Sequence, residues 1–154
     1  INLIYTMEGN RLIAEFLNLE VSEERFPGEG DLYYVPDQHL KGCGDWLQTW
    51  EMKYYSSWDW LMTVVEAIND FKDENGSFLY QVIIKPTRVK IHIRNYSAVT
   101  YSHKNTIIKK NSKKIVTTCR HGRRCMREMV YMAVLKLIRI HNKLNKVETL
   151  KEKQ

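Results

Sequence analysis

The sequence predicts an α+β fold, a single domain in which an antiparallel sheet of three to five strands is packed by three helices. Three observations carry that expectation. Apolar residues recur at three- and four-residue steps in three separate stretches, the period of a helix buried along one side. Between the second and third stretches, from Phe78 onward, the period changes to two, as on a strand with one covered face. A chain of 154 residues with 44% hydrophobic content supplies one core and little for a second.

The first helix is expected over residues 8–18, EGNRLIAEFLN, where Leu12, Ile13, Phe16 and Leu17 share a face and Asn10 stands as the N-cap. A helix of about ten residues is marginal alone and must dock on something. Met7 reads either as an internal methionine or as an original start, and in the second case residues 1–6 are expected to be an extension. Residues 19–55 form an irregular, aromatic-rich segment punctuated by Pro27, Gly28, Gly30, Pro36, Gly42 and Gly44. A structureless loop of that length is unusual inside a compact domain, so short strands are expected near Leu32–Val35 and Leu47–Tyr54. The rings of Phe26, Tyr33, Tyr34, Trp46, Trp50, Tyr54 and Tyr55 would then cover the core. The rival reading exposes them as a surface for a partner.

The second helix lies in SSWDWLMTVVEAINDFK and is expected over 57–72. Ser56 and Asp59 have the spacing of a capping box, and Leu61, Val64, Val65, Ile68 and Phe71 make its buried stripe. Asn75-Gly76 marks a turn. SFLYQVIIK and RVKIHIR then read as strands, with Val89, Ile91 and Ile93 inward and Arg88, Lys90, His92 and Arg94 outward. A further strand or turn falls at Ala98–Ser102, followed by a hairpin, TIIKKNSKKIVTT, turning near Asn111-Ser112. The closing helix is expected over 125–144, its apolar face built from Met126, Met129, Val130, Ala133, Leu137, Ile140 and Leu144 and widened by Val134 and Ile138. The polar tail from Lys146 is expected to fray.

Charge divides the chain. Residues 1–80 hold 5 Lys and Arg against 15 Asp and Glu, and residues 81–154 hold 19 against 3, so a net −10 precedes a net +16. Such asymmetry points to a polyanion bound by the second half, or to self-association through the opposite halves. The plain alternatives are that the halves fold together and neutralise each other, or that the basic cluster is an ordinary solvated face. Within the basic half, Lys109, Lys110, Lys113, Lys114, Arg120, Arg123, Arg124 and Arg127 cluster just before and inside the closing helix. Cations are disfavoured at a helix N-terminus by about 0.3–1 kcal/mol each, whereas its unpaired N–H groups suit an anion. The cluster is therefore the candidate nucleic-acid-binding site, with Tyr96 or Tyr101 available to stack on a base.

Other chemistries are poorly supplied. Cys119, His121 and Cys125, with His39 and Cys43 upstream, offer donors for zinc, but their spacing matches no common zinc motif, and no cofactor is expected. Cys119 or Cys125 beside arginines could be an activated nucleophile, with His92 or His103 as base. No paired carboxylates, glycine-rich phosphate loop or metal-carboxylate cluster accompanies them, so no catalytic residues are assigned and no enzyme is expected. No run of eighteen apolar residues exists to span a membrane. The start lacks the basic and apolar regions of a secretion signal, so a cytoplasmic location with reduced cysteines is expected.

The SSWDWLMTVVEAI helix, together with LIAEFL at residues 12–17 and MVYMAVLKLI at 129–138, resembles a group of small bacteriophage and mobile-element proteins, the phage α-β-α sandwich domain. The resemblance covers about two-thirds of the chain; the basic segment between Tyr101 and Arg124 departs from it. In that group the Trp-Asp-Trp helix is structural, so no site residues carry over. The resemblance implies a phage or prophage provenance and a host-directed accessory role, including anti-CRISPR-like inhibition of a defence system in the cytoplasm of a bacterial host. The expected partner is therefore RNA, DNA or a nucleic-acid-bearing host complex. The alternative is a protein-binding module whose acidic, aromatic first half, including Glu20, Glu23, Glu24, Glu29 and Asp31, occupies a basic groove on a host protein.

Overall fold

A computed structural model describes residues 3–22, 30–37, 43–85, 88–93, 102–103, 106–107, 114–118 and 126–153. Along the chain the elements are α1 (Leu3–Phe16), β1 (Leu32–Val35), β2 (Asp45–Gln48), α2 (Trp58–Asp70), β3 (Tyr80–Lys85), β4 (Arg88–Ile93), β5 (Ser102–His103), β6 (Thr106–Ile107), β7 (Lys114–Thr118) and α3 (Met126–Glu152). The class is α+β, as the sequence predicts. The chain forms two compact units, Ile1–Ala67 and Ile68–Gln154, and the last turn of α2 belongs to the second.

In the first unit, α1 corrects the expectation for residues 8–18. The helix begins at Leu3, and Asn10 is not its cap but lies mid-helix, 1% exposed. Its Nδ2 donates to the carbonyls of Thr49 at 2.9 Å and Met52 at 3.0 Å, so a polar residue joins Gly9, Ile13 and Ala14 on the buried face. Polarity suggested a helix boundary at Asn10; the amide instead satisfies two carbonyls of a neighbouring turn. The C-terminus is a Schellman closure. Asn18 adopts φ +53°, its N–H bonds the carbonyl of Glu15, and that of Leu19 reaches back to Ala14.

β1 pairs antiparallel with β2, Tyr33 opposite Leu47 and Tyr34 opposite Trp46. β2 is shorter and earlier than the expected Leu47–Tyr54. The chain turns after Gln48, where the Glu51 N–H bonds the Gln48 carbonyl at 3.0 Å and the Glu51 carboxylate accepts the Gln48 N–H at 2.8 Å. Tyr33, Val35, Met52 and Tyr54 are buried, and Tyr54 meets Trp60 edge-to-face at 5.0 Å. Tyr34, Trp46 and Trp50 are exposed by 38%, 39% and 58%, so the rings divide between core and surface. Gly44 is where that surface needs a glycine: a Cβ there would lie 2.7 Å from Tyr34 Cζ and 3.0 Å from the Val35 carbonyl.

α2 opens one residue later than the capping-box spacing suggests. The Leu61 N–H bonds the Ser57 carbonyl, which makes Ser57 the first capping residue, and Asp59 keeps its favourable place in the first turn. Its stripe behaves as expected: Leu61, Val64, Val65 and Ile68 are buried and Phe71 is half-buried.

The second unit starts with the expected turn. Gly76 takes φ +77°, and Asp73 Oδ1 accepts the N–H groups of Asn75 and Ser77, both at 2.9 Å. β3, β4 and β7 form an antiparallel sheet in the order β3-β4-β7. The expected hairpin over 106–118 does not describe the pairing: Thr106–Ile107 pairs with Ser102–His103, while β7 pairs with β4. Its turn near Asn111-Ser112, and all of 98–101 from the strand or turn expected at Ala98–Ser102, lie outside the described residues.

α3 packs against β4 and β7. Met129, Val130, Tyr131, Ala133, Val134, Leu135, Leu137, Ile138 and Ile140 are all buried, a wider arc than one apolar stripe. The tail expected to fray from Lys146 is helical through Glu152, with Thr149 Oγ1 bonding the Asn145 carbonyl. His141 is held between rings and amide. Its Nδ1 lies 2.7 Å from Tyr80 Oη and its Nε2 3.1 Å from Asn145 Nδ2, while Phe71 meets its ring edge-on at 4.9 Å.

Candidate nucleic-acid interface

β4 alternates as its sequence requires. Val89, Ile91 and Ile93 are buried, and Arg88, Lys90 and His92 are only half-buried. The register extends this alternation across the sheet. Lys85 stands opposite Arg88, Ile83 opposite Lys90, and Gln81 opposite His92. On the other side of β4, positions 118, 116 and 114 face Arg88, Lys90 and His92 respectively. Opposed residues share a face and successive ones alternate, so these three rows line the side of the sheet away from Val89, Ile91 and Ile93.

That side is basic. The sequences of β3, β4 and β7, YQVIIK, RVKIHI and KIVTT, contain no Asp or Glu. Neither Lys85 nor Arg88 meets a carboxylate among the described residues, although they are cross-strand neighbours. Like charges placed directly opposite each other destabilise a sheet by on the order of a few tenths of a kcal/mol per pair. An anion drawn across the rows would reverse the sign of that term. Arg88 adds a planar fork suited to phosphate oxygens, and Lys85 an exposed point charge.

Of the eight basic residues expected from sequence, Lys109, Lys110, Lys113, Arg120, Arg123 and Arg124 lie outside the described residues. Lys114 opens β7 and pairs in register with His92. Arg127 lies in the first turn of α3 beside Glu128. This acid changes the reading of the helix entrance, because a carboxylate already occupies the favourable end of the dipole. Sequence reasoning placed Arg88 and Lys90 outward but did not join them to Lys85. The signal was the RVKIHI alternation, and what it lacked was the register that sets the strands side by side.

Cys119, His121 and Cys125 also lie outside the described residues, as do His39, Tyr96 and Tyr101. Cys43 is an exposed free thiol. Among the described residues no three His, Cys, Asp or Glu side chains come together as a metal site, and no helix is long and apolar enough to cross a membrane.

The charge division follows the two units closely. Residues 1–67 carry 12 Asp and Glu against 4 Lys and Arg, a net −8, and residues 68–154 carry 6 against 20, a net +14. No protein-family model, no curated protein and no solved structure matches the chain.

Proposed function

We propose that this protein is a non-enzymatic accessory factor that binds RNA, DNA or a host ribonucleoprotein through its basic second half. The observation that carries the reading is the acid-free sheet face on which Lys85, Arg88, Lys90 and His92 are aligned by register. Phosphates are the ligand such a face attracts, through counterion release and charge-assisted hydrogen bonds rather than base readout. Sequence preference is therefore weak. The basic residues flanking β7 and preceding α3, Lys109, Lys110, Lys113, Lys114, Arg120, Arg123, Arg124 and Arg127, extend the same positive segment along the chain. The mobile-element provenance implied by the SSWDWLM helix belongs to this proposal, and with it a counter-defence role of the anti-CRISPR type in a bacterial cytoplasm.

The test is a mobility shift of labelled RNA and DNA with purified protein, set beside affinity capture from bacterial lysate with and without nuclease. Direct binding of either nucleic acid, weakened when Arg120, Arg123 and Arg124 are changed together to Ala, supports the proposal. Capture of host protein that survives nuclease, with no shift of either nucleic acid, overturns it.

A further inference from the structure

The first unit carries an open aromatic surface whose chemistry is opposite to that of the basic sheet. β1 has both edges engaged: it pairs with β2 on one side, and on the other the Tyr34 N–H bonds the Glu20 carbonyl at 2.8 Å while the Ser22 N–H bonds that of Leu32 at 2.9 Å. The main-chain groups of Tyr33 and Val35 therefore point to β2, and the N–H groups of Trp46 and Gln48 point to its edge away from β1, which pairs with no strand among the described residues. Both are already taken by carboxylates. Asp45 Oδ1 accepts the Trp46 N–H at 2.8 Å, and Glu51 Oε2 accepts that of Gln48 at 2.8 Å. A strand cannot add there without displacing them, so any partner must use side chains on the open face.

That face is ordered. Tyr34 and Trp46 sit opposite each other with ring centroids 5.5 Å apart and planes at 62°. The Trp50 indole N–H donates to Gln48 Oε1, which fixes the most exposed ring of the three. Asp45 and Glu51 are the chain neighbours of Trp46 and Trp50, and each carboxylate has one oxygen beyond the one that holds its edge bond. Ring quadrupole and carboxylate both favour a cation, and both repel the phosphates that a stacking nucleobase would bring.

We infer that the Tyr34, Trp46 and Trp50 face is a docking site for an arginine-bearing basic segment of a partner protein. Charge complementarity supplies the argument: the unit is −8 overall, and the two carboxylates on the strand edge belong to the chain neighbours of Trp46 and Trp50. Arginine fits better than lysine because its flat guanidinium stacks on an indole while forking to a carboxylate. This surface is independent of the basic sheet, so either assignment can fail alone.

The experiment titrates the full chain at low salt with a short arginine–glycine peptide and its lysine analogue, read by calorimetry. The arginine peptide should bind several-fold tighter than the lysine one, and Trp46→Ala with Trp50→Ala should weaken it at least about tenfold. Asp45→Asn and Glu51→Gln keep the edge acceptors and remove charge; together they should weaken binding several-fold without shifting the unfolding midpoint. The inference is overturned by no binding of the arginine peptide, by binding untouched by the tryptophan changes in a folded variant, or by salt-sensitive self-association lost in that variant, which would make a second copy the occupant. Single-stranded RNA binding lost with the same rings would overturn it as well.

Discussion

Replacing Asn10 should damage the first unit out of proportion to the size of the change. The amide donates both hydrogens to carbonyls of the 49–52 turn while its own Oδ1 is buried without a hydrogen-bond partner among the described residues. Asn10→Ala leaves those two carbonyls unsatisfied, at about 1–3 kcal/mol each, with Thr49 at the low end because its bond is only partly buried. Relief of the buried Oδ1 and the higher helix propensity of alanine offset about 1–2 kcal/mol of that. The net loss is about 2 kcal/mol. Asn10→Asp should be worse at neutral pH, because it points a charged oxygen at two carbonyl oxygens in a buried site. The introduced carboxyl would have its folded pKa raised above the unfolded value near 3.9. A raised folded pKa means stability is greatest at low pH and is lost as pH rises through it, so acidification should narrow the gap between the two variants. All four tryptophans, Trp46, Trp50, Trp58 and Trp60, lie in the first unit, so urea unfolding followed by their fluorescence reports on it. The expected fall in midpoint for the Ala variant is about 1 M urea. An Ala variant within about 0.5 kcal/mol of the parent, or an Asp variant whose deficit ignores pH, would refute the clamp.

Three further outcomes follow from the geometry. Burial pushes the Tyr54 phenol well above its ordinary range, and Tyr33 moves the same way, through burial first and then Glu15 and Asp31 against a smaller opposing effect of Arg11. The folded chain therefore holds these protons after the unfolded chain has released them. Stability should be level below pH about 10 and then fall, by about 1.4 kcal/mol per pH unit for Tyr54, and Tyr54→Phe should remove that share in alkaline urea titrations. Gly44→Ala should cost about 1–2 kcal/mol in urea unfolding and displace the Tyr34 ring from Trp46, visible as a change in aromatic proton shifts. Tyr80→Phe should cost about 1 kcal/mol and alter the ring nitrogen shifts of His141, which loses its Nδ1 partner.

Much of the fold was legible because period survives without neighbours. The α2 stripe from Leu61 to Ile68 and the Val89, Ile91, Ile93 alternation follow from spacing alone, and the structure buries those residues. Asn10 was misread because a polar side chain signals a helix end unless its acceptors are known, and Thr49 and Met52 lie about forty residues away. β2 was placed too late because the Glu51 carboxylate that ends it acts through a side chain, which no propensity records. The basic face was half legible. Arg88 and Lys90 could be set outward from the alternation, but the pairing of Arg88 with Lys85 is a property of register. Glu128, one residue past Arg127, was overlooked at the mouth of α3, and it removes part of the case for an anion there.

The most direct measurement is the salt dependence of nucleic-acid affinity for the parent chain and for a variant with Lys85, Arg88 and Lys90 all changed to Ala. Each phosphate contact contributes about 0.7–0.9 to the slope of log affinity against log salt. Removal of three cations from the sheet should therefore flatten that slope by about 2–3 and weaken binding to RNA and DNA of any sequence alike. An unchanged slope in a folded variant, or a parent chain that binds neither nucleic acid at low salt, would contradict the assignment of the basic sheet face.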